Sequence, residues 1–198
     1  MVKTDIDTVL EFHVENMREM LRQLIVKLYK RNPRELAKSE YKTIESNLER
    51  LFSRVEDFSF PELYNRTGPE AIQLAMNEEH KGDRVFAFVA GITGMVMASY
   101  DYKTKFYLFD TVDPQKLYNS ARNIEIAVWK IEHDRRSNGE LFLLTNSQDG
   151  EIMNLSYERL FGKLIATQDN IAEIMADRQN RIIKKVFQNM ATAVFLPL

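Results

Sequence analysis

The chain has 198 residues, of which 44% are hydrophobic and 28% charged, and its formal net charge is −2. Residues of both signs are interspersed, which argues against a strongly basic face for nucleic acid. The absence of cysteine excludes disulfides, thiolate metal sites and cysteine nucleophiles. This length and composition suffice for one sizeable hydrophobic core, and we predict a single helical domain over residues 1–198.

The first predicted helix covers residues 5–31. Its apolar residues are three or four positions apart and therefore share one helix face. These residues are Leu10, Val14, Met17, Leu21, Leu24 and Leu28. Directly after it, Asn32 and Glu35 flank Pro33 in the pattern of a capping box. That pattern predicts a short second helix.

Two further helices are predicted before residue 80. An apolar stripe over residues 44–55, ending at Val55, predicts the first of them, and an aromatic loop at residues 58–61 ends it. Thr67 and Glu70 have the spacing of a second capping box. The next helix is therefore expected to begin there.

The longest uncharged apolar run extends over residues 85–100. Because sixteen residues are fewer than the roughly 20 that span a bilayer, we predict a buried central helix, with a membrane-contacting segment as the alternative. Ala90, Gly94 and Ala98 are four residues apart and share a face with room for a close neighbour. Together with Gly91 they are the candidate helix-packing face or, alternatively, the wall of a ligand cavity.

The second half of the chain predicts two long helices, at residues 114–135 and 156–190. Because the latter would exceed the length of most globular helices, we expect a bend or break within it. Two short apolar runs, at residues 106–109 and 140–145, are candidates for a minor two-stranded hairpin. Periodicity does not distinguish a strand from a packed loop at that length.

Two polar residues, Gln168 and Arg178, fall on the apolar seam of the last predicted helix. They either line a polar pocket or fix the helix register through buried hydrogen bonds, and the second role is the commoner one. Arg178 also begins a basic run with Arg181, Lys184 and Lys185. Such a run is able to contact phosphates or acidic lipid head groups, but it is more often a solvated face.

The sequence contains no recognisable catalytic signature. His13, His80 and His133 lie far apart, and none has a second histidine at the helical spacing of a zinc site. Glycine-rich phosphate loops and nucleophile elbows do not occur in the sequence. We therefore assign no catalytic, cofactor-binding or metal-binding residue and expect no cofactor.

Residues 113–127 (DPQKLYNSARNIEIA), residues 155–163 (LSYERLFGK) and the ending AVFLPL at residues 193–198 resemble a family of uncharacterised proteobacterial lipoproteins. The resemblance extends over most of the chain, but its motifs carry no known chemistry, so it implies a location and not an activity. Members of the family are made with a signal peptide and a lipid-modified cysteine, neither of which this sequence contains. The resemblance implies that Met1 replaces a removed leader and that the rest is tethered to the outer membrane and faces the periplasm. A cytoplasmic location is the alternative.

From these observations we expect a non-enzymatic lipoprotein body that binds a partner protein or supports an envelope assembly. The alternative is a carrier of a lipid or other apolar ligand in a helix-lined cavity. A second alternative is an enzyme of unrecognised type, whose site forms only on folding. We expect no nucleic-acid partner, and membrane association only through a lipid anchor that this chain lacks.

Overall fold

A computed structural model describes residues 2–53, 57–146, 150–151 and 154–198. These residues form seven α-helices and two short 3-10 turns, and no β-strand occurs among them. The predicted helical bundle is therefore confirmed. The helices are α1 (Asp5–Arg31), α2 (Pro33–Lys38), α3 (Ile44–Ser53), α4 (Gly68–Ala75), α5 (Arg84–Ser99), α6 (Pro114–His133) and α7 (Ser156–Gln179).

Helix α5 is the central helix that the apolar run predicts. Every residue from Arg84 to Ser99 is buried except Ala98, which is half-buried. Helices α1, α4 and α6 all contact α5, and α7 packs on α6 and α1. The core is thus built around a helix that carries no charge after its first residue, Arg84.

The ends of the predicted helices agree with the structure except at one position. Helices α1 and α6 agree to within two residues with the helices predicted at 5–31 and 114–135. The predicted end of the third helix, at Val55, lies outside the described residues. The end predicted at residue 190 is wrong, because α7 ends at Gln179, and this is where the break expected within residues 156–190 occurs. Asn180 follows it with a left-handed backbone (φ 51°), a conformation that asparagine tolerates at the end of a helix.

The hairpin predicted from residues 106–109 and 140–145 does not form. The backbone N–H of Phe106 donates to the carboxylate of Glu11 (3.0 Å), near the start of α1. The backbone N–H of Leu144 donates to the side chain of Asn32 (2.8 Å), at the end of α1. Because about 30 Å of helix separates Glu11 from Asn32, the two runs lie too far apart to pair.

Candidate functional site

The small-residue face of α5 is a helix-packing surface. A Cβ atom on Gly91 would lie 2.7 Å from the backbone oxygen of Gly68 and 2.7 Å from Cγ1 of Ile72, both in α4. A Cβ atom on Gly94 would lie 3.3 Å from Cβ of Phe58. The protein itself therefore occupies the space beside these glycines. Ala90 is buried and Ala98 is half-buried on the same helix.

Gln168 is fully buried and joins three helices. Its amide nitrogen donates to the hydroxyls of Ser99 (3.1 Å) and Ser120 (2.9 Å), and its amide oxygen accepts from the hydroxyl of Tyr100 (2.7 Å). These contacts are those of a residue that fixes the register of α7 against α5 and α6. Arg178, in contrast, is exposed, so its predicted place on the seam is wrong. In the last turn of α7 the inward positions are Ala176, which is buried, and Gln179, which is half-buried, while Arg178 faces solvent.

An open cleft of about 610 Å³ lies beside the corner between α1 and α2. One wall is the corner at residues 31–35, and the other is the loop that follows α6, within residues 135–144. Four arginines line it: Arg31, Arg34, Arg135 and Arg136. We call it the arginine cleft.

Asn32 holds the two walls of the arginine cleft together. Its side-chain nitrogen donates to the backbone oxygens of Leu28 (2.9 Å) and Leu144 (2.9 Å), and its side-chain oxygen accepts from the N–H of Leu144 (2.8 Å). The predicted capping box between Asn32 and Glu35 is therefore not formed. Glu35 instead accepts from the backbone N–H of Arg84 (2.9 Å) and from Lys38 (2.6 Å).

The second wall is a turn closed by backbone hydrogen bonds. The N–H of Arg136 donates to the oxygen of Glu140 (2.8 Å), and the N–H of Gly139 donates to the oxygen of Arg136 (2.9 Å). Gly139 has a φ of 84°, a backbone conformation that favours glycine. The hydroxyl of Ser137 donates to the carboxylate of Glu78 (2.6 Å), which attaches the turn to the segment after α4. The loop is thus fixed in place on the helical core.

The arginine cleft carries an excess of positive charge, with four arginines and two carboxylates in its lining. Arg31 is paired with Glu151, and the carboxylate of Glu35 is already bound by a lysine and a backbone N–H. The carboxylate of Glu140 accepts from the side chain of Asn138 (3.1 Å). In the part of the chain that the structure describes, Arg34, Arg135 and Arg136 have no carboxylate within ion-pair distance. Three guanidinium groups at this cleft are therefore not neutralised by a direct ion pair.

A buried cation lies against Phe142, one of the residues that line the cleft. Arg84 is 1% exposed, and its guanidinium donates to the backbone oxygens of Ala75 (2.6 Å) and His80 (2.6 Å). Arg84 and Arg136 lie over the ring of Phe142, at 5.1 and 5.3 Å from its centre. Burial lowers the pKa of Arg84, and the charge of Arg136 lowers that pKa further. A bound anion would reduce this repulsion between the two cations.

The histidines do not come together. His13 is half-buried in α1, His80 is buried after α4, and His133 is exposed and stacked on Trp129 with ring centres 4.7 Å apart. Burial is the main cause that lowers the pKa of His13 and of His80. Within the described ranges, no group of three or more His, Asp or Glu side chains is arranged to hold a metal ion.

The other clefts of the structure give little support to a lipid carrier. A second cleft of about 540 Å³ is wide open and shares Arg135 and Phe142 with the arginine cleft. Neither the arginine cleft nor this second cleft is an enclosed apolar cavity of the kind that an acyl chain needs. Of the helices in the described residues, none has the length and apolar character to cross a membrane.

No protein-family model matches this chain, and no curated protein or solved structure matches it either. The resemblance to the lipoprotein family therefore stays a prediction. The arginine cleft was not predicted from the sequence. Its two walls are about a hundred residues apart in the chain, and no local pattern indicates that they meet.

Proposed function

We propose that this protein is a non-enzymatic binding body whose arginine cleft holds an acidic segment of a partner protein. The observation that carries the proposal is the set of three arginines at one cleft, Arg34, Arg135 and Arg136, that have no ion-paired carboxylate in the described residues. Guanidinium groups bind carboxylates through two parallel hydrogen bonds, so carboxylate side chains are the complementary ligand.

The shape of the cleft also supports binding of a peptide segment. Its volume of about 610 Å³ falls within the range of ligand sites, and it is open along one side. Leu141, Phe142 and Leu144 supply apolar surface beside the arginines. A segment that alternates acidic and apolar side chains would satisfy both kinds of surface.

The chemistry of the cleft favours binding over catalysis. Arginine stays protonated throughout the physiological pH range, so it is a poor general acid or base. A cell-envelope location for the partner is supported only by the resemblance of residues 113–127 and 155–163 to the lipoprotein family.

The test is the binding of a fluorescently labelled hexaglutamate peptide, followed by fluorescence anisotropy, with hexaglutamine as the uncharged comparison. We expect the wild-type protein to bind the acidic peptide more tightly and to lose affinity as salt is added. Arg34→Glu/Arg136→Glu should weaken binding roughly tenfold or more, because each lost charge-assisted contact contributes about 1.5–3 kcal/mol.

The matched control is Arg66→Glu/Lys163→Glu, which also reverses two charges, at exposed positions before α4 and on α7, outside the cleft lining. It should bind hexaglutamate within about twofold of the wild type, since charges outside the cleft are screened. Equal affinity for the two peptides, or equal losses in the cleft variant and the control, would contradict the proposal.

A further inference from the structure

The chain after α7 is held on α6 as an arm without α-helix, which we define as residues 180–198 and call the C-terminal arm; it contains one 3-10 turn at Met190–Thr192. Gln115 and Tyr118 of α6 bind its first part. The side chain of Gln115 accepts from the N–H of Lys184 (2.8 Å) and donates to its oxygen (3.2 Å). The hydroxyl of Tyr118 accepts from the N–H of Val186 (3.2 Å) and donates to its oxygen (3.4 Å).

Two asparagines of α6 bind the end of the C-terminal arm. The side chain of Asn119 donates to the oxygen of Pro197 (2.9 Å). The side chain of Asn123 donates to the oxygen of Leu196 (2.8 Å) and accepts from its N–H (2.6 Å). Because Gln115, Asn119 and Asn123 are four residues apart, they form one polar row along α6. The arm is therefore fixed at both ends on a rigid helix.

Large apolar side chains on this fixed arm point into solvent. Ile182 is 94% exposed, Phe187 is 93% exposed and Val194 is 71% exposed. In contrast, Ile183 and Phe195 are partly buried and pack against the core. Some apolar residues of the arm therefore anchor it to the core, while others are exposed. Contact between these exposed apolar side chains and water is unfavourable.

The charged side chains within this stretch of the sequence are all basic. Residues 178–198 contain four basic residues and neither Asp nor Glu. Arg181 is paired with Asp113 (3.3 Å), and Lys185 lies near Asp169. Arg178 and Lys184 are exposed and have no carboxylate partner among the residues described. Exposed cations therefore alternate with exposed apolar side chains along the first half of the arm.

We propose that the C-terminal arm is a membrane-contacting surface that rests on anionic phospholipid. Basic residues interleaved with exposed aromatic and aliphatic residues are the pattern of segments that lie in the interface of a bilayer. The cations gain from the negative surface potential, and the apolar side chains enter the boundary between head groups and acyl chains. The pocket that the arm forms with α6 has a volume of only about 160 Å³. It is too small for a protein segment, so a flat lipid surface fits the exposed side chains of the arm better.

The test is co-sedimentation of the full chain with vesicles of phosphatidylcholine, alone or mixed in equal parts with phosphatidylglycerol. We expect binding to the mixed vesicles, little binding to phosphatidylcholine alone, and release by added salt. Ile182→Ser/Phe187→Ser and, separately, Lys184→Glu/Lys185→Glu should each lower the vesicle partition coefficient about tenfold or more. Circular dichroism should show that both variants keep the helical fold.

The chain offers a matched control for each variant. Phe109→Ser removes an aromatic side chain that is 92% exposed outside the arm, and Lys163→Glu reverses an exposed charge on α7. Both controls should bind the mixed vesicles within about twofold to threefold of the wild type, because they lie outside the arm.

Three results would overturn the proposal. One is equal binding to the two kinds of vesicle, and another is equal loss of binding in the arm variants and their controls. The third is a dimer in size-exclusion chromatography that Ile182→Ser/Phe187→Ser dissociates, since a second copy would then be the partner of the arm. Arg34→Glu/Arg136→Glu should bind vesicles as the wild type does, which separates this proposal from that for the arginine cleft.

Discussion

The hydroxyl of Tyr29 donates a hydrogen bond of 2.6 Å to the buried carboxylate of Asp83, and so joins α1 to the start of α5. The same carboxylate caps α5 by accepting from the N–H of Phe86 (3.0 Å). Burial raises the pKa of Asp83 to about 6, although both hydrogen bonds act to lower it. A carboxylate that positions the central helix is therefore also a group that titrates near neutral pH.

This titration predicts a pH-dependent stability. Because the pKa of Asp83 is higher in the folded protein than in the unfolded chain, the folded state binds more protons, and stability falls as the pH rises from about 4 to about 7. Asp83→Asn removes this contribution. Urea unfolding should show that the free energy of unfolding of the wild type decreases over this range by about 2–3 kcal/mol more than that of the variant.

The comparison with Asp83→Asn is needed because the pKa values of several half-buried carboxylates are also raised. Burial raises the pKa values of Glu125, Glu132 and Asp169, but both proteins contain these residues, so their effect cancels in the difference. Parallel pH profiles for the two proteins would show that Asp83 does not titrate in this range.

The hydrogen bonds of Gln168 predict a stabilising role. Gln168→Leu leaves buried hydroxyls of Ser99, Tyr100 and Ser120 without their amide partner. An unsatisfied buried polar group costs about 1–3 kcal/mol, so we expect a loss of roughly 2–4 kcal/mol in the free energy of unfolding. Gln23→Leu, at an exposed position on α1, should change it by less than about 0.5 kcal/mol. Equal effects of the two substitutions would contradict the register role.

Two Gly→Ala substitutions, one at the contact between α4 and α5 and one at an open position on α7, should change the stability in opposite directions. Gly91→Ala places a Cβ atom 2.7 Å from the backbone oxygen of Gly68, which cannot move without shifting α4. We expect a loss of roughly 1–3 kcal/mol from overpacking. Gly162 lies within α7 and has no atom within 4 Å of the position of a Cβ, so Gly162→Ala should stabilise by about 0.4–1 kcal/mol.

Thermal unfolding followed by circular dichroism measures both effects. A Tm for Gly91→Ala at or above that of the wild type would mean that α4 does not pack closely at this position. Gly94→Ala, whose Cβ would lie 3.3 Å from Cβ of Phe58, should have a smaller effect than Gly91→Ala, because its nearest neighbour lies farther away than the 2.7 Å at Gly91.

The polar row on α6 predicts that the C-terminal arm resists proteolysis. Asn123→Ala removes two hydrogen bonds to the backbone of Leu196. The arm should then open more often, and trypsin should cut after Lys184 and Lys185 several-fold faster than in the wild type. Mass spectrometry of the fragments over time measures the rate. Asn138→Ala, in the exposed turn after α6, should leave the rate unchanged, and equal rates for wild type and Asn123→Ala would show that the row does not hold the arm.

The helices were predictable because their signals are local. The apolar stripe of α1 and the uncharged run of α5 determine both the helix and the face that it buries. The position of Gln168 on an apolar seam likewise predicts that its side chain is hydrogen-bonded. It does not predict which residues are its partners. The stop of α7 at Asn180 was harder to predict, because heptad spacing continues beyond it while the backbone does not.

Features that depend on distant segments were not predictable in the same way. The runs at 106–109 and 140–145 look alike in sequence, yet they bind opposite ends of α1. The side chain of Asn32 bonds to Leu144 and not to its own helix start, which no capping pattern indicates. The arginine cleft depends on this long-range contact and so becomes visible only in the folded chain.

The most direct test of the binding proposal is to map hexaglutamate by amide NMR on the isotope-labelled full chain. Chemical-shift changes should saturate with peptide and concentrate at residues 31–35 and 135–144, with the side-chain Nε–H signals of Arg34 and Arg136 among those that move. Shifts confined to residues 180–198, or no saturable shifts at all, would contradict it.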